Sequence, residues 1–189
     1  MTPQDADALA NRPEGFQRVV RLLAERGHAQ VPRWLDTPAR TCEDAARALG
    51  LHSGQIAKSV IFRRRSDAAT VLVVASGDRR VDEAKVAGQV GEIGRADAAF
   101  VKQQTGFSIG GVAPLGHLQP PVVLIDRELF RFDTVWAAAG HPNGVFCLTP
   151  QDLVALTGAP VVDVVADVVT DAVADLVADP RVRLAEGVP

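Results

Sequence analysis

Short runs of β-branched and other apolar residues recur through the middle of the chain, and they restrict the folds that it can adopt. Glycine, proline or polar residues bound each run, which is typical of strands. The predicted strands are KSVIFRR (58–64), TVLVVA (70–75), AAFV (98–101, the weakest), PVVLID (121–126), TVWAAAG (134–140), VFCL (145–148) and PVVDVV (160–165). Because several connections between them are short, we expect an α+β fold around a mixed, partly closed, barrel-like sheet.

Short helices are predicted beside these strands. An apolar residue at every third or fourth position predicts a helix over residues 14–27. Capping threonine, aspartate and terminal glycine residues predict further helices over 41–50, 81–91 and 149–158. HPNG (141–144) reads as a turn in which asparagine and glycine supply positive φ.

Length and composition limit the class of protein. With 189 residues, of which 47% are hydrophobic, the chain can form one domain with a sizeable core. No apolar run approaches the roughly 18 residues of a membrane span, and the polar N-terminus lacks a signal-peptide pattern. We therefore expect a cytoplasmic protein without a membrane partner. Neither Cys42 and Cys147 nor the four histidines have metal-ligand spacing, so we expect no metal and no other cofactor.

The C-terminal part of the chain is acidic. Residues 1–165 are predicted to form the domain, and residues 166–189 an Asp/Val/Ala-rich tail. Five aspartates, at 163, 167, 171, 175 and 179, are spaced by four, which suits a broad helical stripe or one face of a strand equally. We interpret them as a solvated acidic face or a poorly tethered tail. Because the remaining chain is close to neutral, a nucleic acid would be contacted over a small footprint.

The stretch TGFSIGGVAPLGH holds four glycines and a proline between two apolar runs. It is not a nucleotide-binding P-loop, because Val112 and Ala113 stand where that motif has lysine and serine or threonine. The paired Gly110 and Gly111 allow close backbone approach and inward N–H groups, and Pro114 stiffens the loop. Such a loop could bind a carboxyl or ester oxygen and stabilise an oxyanion, although many glycine-rich loops are only turns.

Three side chains are considered for chemistry. Lys58 begins a strongly apolar strand, where it could hold a phosphate or carbonyl oxygen at a pocket mouth or simply extend to solvent. Cys147 and His141 could form a nucleophile–base pair, but a thiol in the apolar run VFCL would resist ionisation. Ser108 lacks the GxSxG surroundings of a nucleophile and is predicted to contact ligand or shape the turn.

IAKSVIFR, GFSIGGVAPLGH, VVLIDREL and TVWAAAGHPNGVFCLTPQDLVALTGA together resemble the YbaK/ProX family of aminoacyl-tRNA editing domains. This family includes the editing insertion of bacterial prolyl-tRNA synthetases and free-standing relatives. The resemblance extends from about Thr41 to Val165. It implies a YbaK-like fold and hydrolysis of the ester that joins a wrong amino acid to the 3′ end of tRNA.

The resemblance also implies roles for individual residues. It places Lys58, Gly110, Gly111, Val112 and Ala113 in the catalytic site, and Ser108, Pro114, Gly116 and His141 in substrate binding. The implied partners are a mischarged tRNA and an aminoacyl-tRNA synthetase. The oligomeric state stays open.

A small pocket excludes large side chains by steric clash, which favours alanine, cysteine, serine or threonine. The resemblance to the editing insertion of prolyl-tRNA synthetases implies a tRNA(Pro)-like acceptor. Arg63, Arg64 and Arg65 form the densest basic run and are predicted to meet tRNA phosphates, with a solvated strand end as the alternative. Arg79, Arg80 and Lys102 are weaker candidates for the same contact. The resemblance thus favours a trans-acting deacylase, and the alternative is a non-catalytic binding module of the same fold.

Overall fold

A computed structural model describes residues 11–167 and shows one eight-stranded sheet with helices against it. The strands are Arg33–Trp34 (β1), Ile56–Arg64 (β2), Thr70–Ser76 (β3), Ile93–Arg95 (β4), Val122–Asp126 (β5), Val135–Ala138 (β6), Gly144–Leu148 (β7) and Val161–Val162 (β8). The helices in this part of the chain are Glu14–Glu25 (α1), Cys42–Leu49 (α2), Glu83–Val90 (α3), Ala98–Thr105 (α4) and Pro150–Thr157 (α5), with 3-10 turns at Ser53–Gln55 and Arg127–Arg131.

The sheet is mixed and open. Its strand order is β1-β7-β6-β2-β3-β5-β8, and β4 joins it beside β2. The pairs β2–β6, β3–β5 and β5–β8 are parallel, whereas the other pairs are antiparallel. The α+β class and the mixed sheet are therefore confirmed. The sheet does not close, because β1 and β8 lie at opposite ends of the strand order.

The central strand β3 separates two apolar layers. All seven of its residues are buried, and successive side chains point to opposite faces of the sheet. Leu72 and Val74 pack into a large core that includes Phe16 and Leu23 of α1. Val71 and Val73 pack into a smaller core that includes Val86 of α3. Helices therefore cover the sheet on both faces.

One predicted strand is a helix. AAFV forms the first half of α4, because the Asp97 side chain accepts a hydrogen bond from the Phe100 N–H and caps the helix. Gly106 ends α4 in the left-handed conformation, so the helix leads directly into the glycine-rich loop. The segment before α2 contains a short strand that is not predicted from the sequence, since Arg33 and Trp34 pair with β7.

The edge of β2 that faces β6 is interrupted. β2 pairs with β6 through Ile56 and Ala57, and with β4 through the residues from Phe62 to Arg64. Along the described chain no strand pairs with this edge over residues 58–61, because β3 occupies the other edge. The interruption leaves room for a cavity beside the first half of β2.

The described part of the acidic segment is ion-paired. Lys85 of α3 contacts Asp163 at 3.1 Å and Asp167 at 2.8 Å. The predicted aspartate positions 171, 175 and 179 lie outside the described residues. Within residues 11–167, no helix has both the length and the apolar character that a membrane crossing requires.

Candidate active site

A cavity of about 240 Å³ opens at the interruption between β2 and β6. Its wall comes from α2 and the segment before it, from the first half of β2, from β6, and from the glycine-rich loop. The lining residues that matter below are Arg40, Thr41, Cys42, Ile56, Ala57, Lys58, Ile109, Gly110, Val112, Trp136, Ala137 and Pro142. Most of these side chains are small or apolar, so the cavity suits a small organic group more than a bare ion.

Lys58 reaches this cavity from the start of β2 and is half-buried. Its Nζ donates hydrogen bonds to the backbone carbonyls of Gly77 (3.4 Å) and Arg79. An ammonium group has three N–H donors, so one donor is left for a ligand. The two carbonyls hold the ammonium group in one position, whereas the end of an unbonded lysine side chain would move freely.

The turn that holds Lys58 is itself braced. Gly77 has no room for a side chain, because a Cβ there would lie 2.3 Å from the Ser53 carbonyl oxygen. Asp78 accepts hydrogen bonds from Ser76 (2.8 Å) and Arg131 (2.8 Å). Burial alone would raise the pKa of Asp78, but these bonds and the charges of Arg131 and Arg79 outweigh it and lower the pKa. The carboxylate is therefore charged at neutral pH.

Gly110 and Gly111 are required for different reasons. Gly110 has a φ of +89°, which side chains rarely tolerate, whereas a Cβ on Gly111 would lie 2.7 Å from backbone atoms of His141. The Gly111 N–H donates to the Ser108 carbonyl and closes a turn. In the described chain the N–H groups of Gly110 and Val112 have no hydrogen-bond partner, and both residues line the cavity. They are the loop's candidate donors to a ligand.

Buried aromatic and polar contacts anchor the loop on either side. Phe107 is fully buried against Gly15 and Gly140. The His117 ring donates from Nε2 to the Ala113 carbonyl at 2.9 Å. Burial lowers the pKa of His117 to about 4. A neutral imidazole therefore fastens the C-terminal half of the loop at physiological pH.

His141 lies behind the cavity and does not line it. Its ring stacks on Trp34 with centroids 4.8 Å apart, and Arg12 lies 4.3 Å from the centroid of the Trp34 ring. The His141 Nδ1 accepts the Asn143 N–H at 3.2 Å, so the neutral ring carries its proton on Nε2. Burial also lowers the pKa of His141. The arrangement makes His141 a support of the loop, through its backbone contact with Gly111.

The other predicted residues are distributed as follows. Ala113 and Pro114 are buried residues of the loop, Ser108 is an exposed one, and Gly116 (φ +79°) packs near Leu22; none of the four lines the cavity. Arg63, Arg64 and Arg65 lie at the far end of β2. Of the predicted catalytic and substrate-binding residues, the structure thus brings Lys58, Gly110 and Val112 to one cavity.

Sequence reasoning missed the α2 side of the cavity. The sequence predicts Thr41 only as a helix cap and gives Cys42 no role in the site, yet both residues line the cavity beside Lys58. Burial raises the pKa of the Cys42 thiol, and the nearby Lys58 charge reduces this shift only in part. The capping pattern signals a helix start but does not indicate which surface that helix start faces.

Cys147 lies elsewhere. It lines a second cavity, of about 360 Å³, beside His28, whose Nε2 donates to the Cys147 carbonyl at 2.9 Å. Burial raises the pKa of the Cys147 thiol. Within residues 11–167, no group of three His, Cys, Asp or Glu side chains could hold a metal ion.

The sequence is similar to a known domain family and to individual bacterial proteins. Residues 36–156 match the aminoacyl-tRNA editing domain. The chain is 40% identical over 119 residues to the uncharacterised protein YwhH of Bacillus subtilis strain 168, covering 62% of this chain and 75% of YwhH. It is 29% identical over 117 residues to a proline–tRNA ligase of Thermoanaerobacter sp. strain X514, covering 60% of this chain but 19% of the ligase.

Solved structures agree with this match. A crystal structure described as that of a candidate trans-editing enzyme for prolyl tRNA synthetase superposes with a TM-score of 0.77 and 36% sequence identity. The superposition covers 83% of this chain and all of that one. The matched sequence region contains every element of the cavity, including Lys58 and the glycine-rich loop. The chain therefore belongs to the aminoacyl-tRNA editing domain family.

Proposed function

We propose that the protein is a trans-acting aminoacyl-tRNA deacylase, which hydrolyses the ester between a small, wrongly attached amino acid and the 3′ end of a tRNA(Pro)-like tRNA. The observation that carries the proposal is the shared cavity of Lys58, Gly110 and Val112. A positive charge and unpaired backbone donors on one small apolar cavity suit an ester with a nearby phosphate. The proposed partners are the mischarged tRNA and the aminoacyl-tRNA synthetase that releases it.

The proposed chemistry assigns the oxyanion to the loop. The N–H groups of Gly110 and Val112 would stabilise the negative charge that develops on the ester carbonyl oxygen. The remaining N–H of Lys58 would hold the terminal phosphate or a neighbouring substrate oxygen. Positioning of an activated ester in this way can supply much of the rate acceleration.

The nucleophile is a water molecule or, for a cysteinyl ester, the thiol of the substrate. The titratable side chains on the cavity are Arg40, Cys42 and Lys58, and burial keeps the Cys42 thiol protonated at neutral pH. Within the described part of the chain, no carboxylate or histidine lines the cavity to accept the proton. We therefore propose that a ribose hydroxyl of the tRNA takes part in proton transfer.

Selectivity follows from the walls. Ala57, Val112 and Ala137 lie at the surface of the buried core, so the cavity cannot expand there without disturbing packing. A large cognate side chain would clash with these walls, whereas alanine, cysteine, serine and threonine are small enough to enter.

The test is release of amino acid from tRNAs charged with alanine, cysteine, serine, threonine or proline. We expect release from at least one of the small amino acids, and about a hundredfold slower release by Lys58→Ala, the range seen when one charge-stabilising donor is removed. Lys85→Ala, which removes a lysine paired with Asp163 and Asp167 away from the cavity, is the matched control and should retain the wild-type rate.

Two outcomes would contradict this function. Equal rates for wild type and Lys58→Ala would remove Lys58 from the mechanism. Binding of the charged tRNAs without release from any of them would favour the non-catalytic binding module.

A further inference from the structure

Three arginines surround a separate cavity at the far end of β2. Arg63, Arg65 and Arg95 line it together with Gly94, and its volume is about 380 Å³. Among residues 11–167, no acidic residue lines this cavity. A concave surface with three guanidinium-bearing residues and no carboxylate is suited to a phosphate group.

Strand pairing brings the backbones of Arg63 and Arg95 together at the end of β2. Arg63 lies opposite Gly94 of β4, and the next pair joins Phe62 to Arg95, so the Arg63 and Arg95 side chains leave opposite faces of the sheet although both residues line the cavity. Just after β2, the Arg65 N–H donates to the Glu92 carbonyl, and its Nε donates to the Ile93 carbonyl at 3.3 Å. Because Gly94 has no side chain, the space over β4 stays open beside the Arg65 guanidinium.

The charges of these arginines are not neutralised within residues 11–167. None of Arg63, Arg65 and Arg95 forms a salt bridge there, and Arg63 instead lies 5.5 Å from the centroid of the Phe100 ring. Arg64 differs, because it makes two hydrogen bonds to Asp67, at 2.9 and 2.7 Å. The hydrogen bond from Arg64 lowers the pKa of Asp67 to about 2, so both side chains stay ionised and the Asp67 carboxylate neutralises the Arg64 charge. Arg64 is therefore unsuited to hold a phosphate.

A groove joins this cavity to the active site. Arg95 also lines an open groove of about 800 Å³, which reaches Lys58 and includes Arg79 and Arg80. Glu43, Asp78 and Glu83 line the groove as well, so its charge is mixed, unlike that of the arginine-lined cavity. The strand rise of about 3.3 Å per residue puts Arg63 roughly 17 Å from Lys58 along β2. This span fits a short stretch of extended nucleic acid.

We infer that the cavity of Arg63, Arg65 and Arg95 binds a backbone phosphate of single-stranded RNA, a few nucleotides before the terminal nucleotide whose ester occupies the active-site cavity. The inference rests on the proposed function. In this proposal Arg95, instead of Arg64, contacts the phosphate together with Arg63 and Arg65. The RNA strand then runs from the active-site cavity along β2 towards the arginine-lined cavity.

The test uses substrates of increasing length. Aminoacyl-adenosine, an aminoacyl-CCA trinucleotide and the full aminoacyl-tRNA are compared with wild type, the triple variant Arg63→Gln/Arg65→Gln/Arg95→Gln, and Arg64→Gln as the matched control. We expect all three proteins to hydrolyse aminoacyl-adenosine at the same rate, which also reports correct folding. The triple variant should lose at least tenfold in kcat/KM on the tRNA, and Arg64→Gln should not.

Binding of uncharged RNA is measured in parallel as a function of salt. For single strands the logarithmic salt slope changes by about 0.7 per phosphate contact, so the triple variant should have a slope shallower by about that amount. If the triple variant does not fold, the single variant Arg95→Gln, at an exposed position, is expected to give the same direction of change.

The two proposals fail in different ways. An unchanged salt slope in the triple variant, or an equal loss in Arg64→Gln, would overturn the arginine site even if deacylation is observed. Absence of hydrolysis in all proteins, together with a shallower slope in the triple variant alone, would overturn the deacylase and retain the RNA contact.

Discussion

At the residue scale, the sequence shows which positions of the loop are glycines, but it does not show the contacts that require a glycine there. Gly110 is a glycine because its φ is positive, and Gly111 is a glycine because the His141 backbone leaves no room for a Cβ. The prediction of positive φ at Asn143 and Gly144 is wrong, because the left-handed residue beside this turn is Gly140. At Gly144 a Cβ would lie 2.4 Å from the Phe16 ring. Local turn chemistry predicts φ, but close approach by a distant side chain leaves no local pattern.

Lys58 shows the same limit. Its unusual place at the start of an apolar strand could be noticed in the sequence. The two carbonyls that hold its Nζ belong to the turn after β3 and become neighbours only when β2 and β3 pair.

The neutral state of His117 leads to a prediction about pH. Because burial puts the pKa of His117 at about 4 instead of 6.5, the unfolded chain takes up this proton first on acidification. The stabilising contribution is complete above pH 6.5 and is lost as the pH falls to about 4. Its complete loss should lower the free energy of unfolding by at most roughly 3 kcal/mol. Urea unfolding at pH 7 and pH 4.5 measures this change.

His117→Gln is the control, since glutamine has no proton to gain in this range. The variant should lose less stability than wild type between the two pH values. The same loss in both proteins would show that other groups cause the acid sensitivity.

At the element scale, capping residues predicted helices more reliably than composition predicted strands. Thr41 and Thr149 cap α2 and α5 as expected, and each helix ends at the predicted glycine. The prediction of a strand over AAFV is wrong. It rests on the apolar residues of this segment and does not take account of the helix-capping Asp97 before it. Asp97 before α4 and Gly106 after it are the start and stop signals of a helix.

Asp97 therefore controls the element that leads into the glycine-rich loop. Replacing Asp97 by alanine removes the acceptor for the Phe100 N–H and should lower the free energy of unfolding by about 1 kcal/mol. Asp97→Asn keeps an acceptor oxygen and should lose only a few tenths of that. Urea unfolding of the three proteins measures the difference, and equal stability of Asp97→Ala and wild type would contradict the assigned cap.

At the scale of the whole molecule, the sequence predicts the α+β class but not the point at which the sheet is interrupted. The interruption depends on how far β6 and β4 extend along β2, which is set by pairing between segments distant in the chain. The convergence of Lys58 with Gly110 and Val112 depends on that interruption. The family resemblance implies that Lys58 and the glycine-rich loop share one site, whereas the residue patterns alone do not predict that they lie together.

The N-terminal helix α1 lies outside the matched region 36–156, yet it packs into the main core. Phe16 is 3% exposed and meets Trp34 edge-on, with ring centroids 5.1 Å apart. Phe16→Ala should lower the free energy of unfolding by about 3–5 kcal/mol. Arg21→Ala, at an exposed position of the same helix, should change it by less than about 0.5 kcal/mol.

Denaturant titration of both variants measures these values. A small effect of Phe16→Ala would mean that α1 adds little to the core, and that the matched region carries the stability by itself.

Within residues 11–167, the edge of β2 that faces β6 has no strand partner over residues 58–61, and this has a consequence for how the protein could diverge. Because the cavity lies where strand pairing is interrupted, its shape depends on the glycine-rich loop and on the N-terminal end of α2. Substitutions at Ile109 or Thr41 can therefore reshape the entrance while every ladder contact of the scaffold is kept. Relatives that bind different small ligands could arise through such changes, without a new fold.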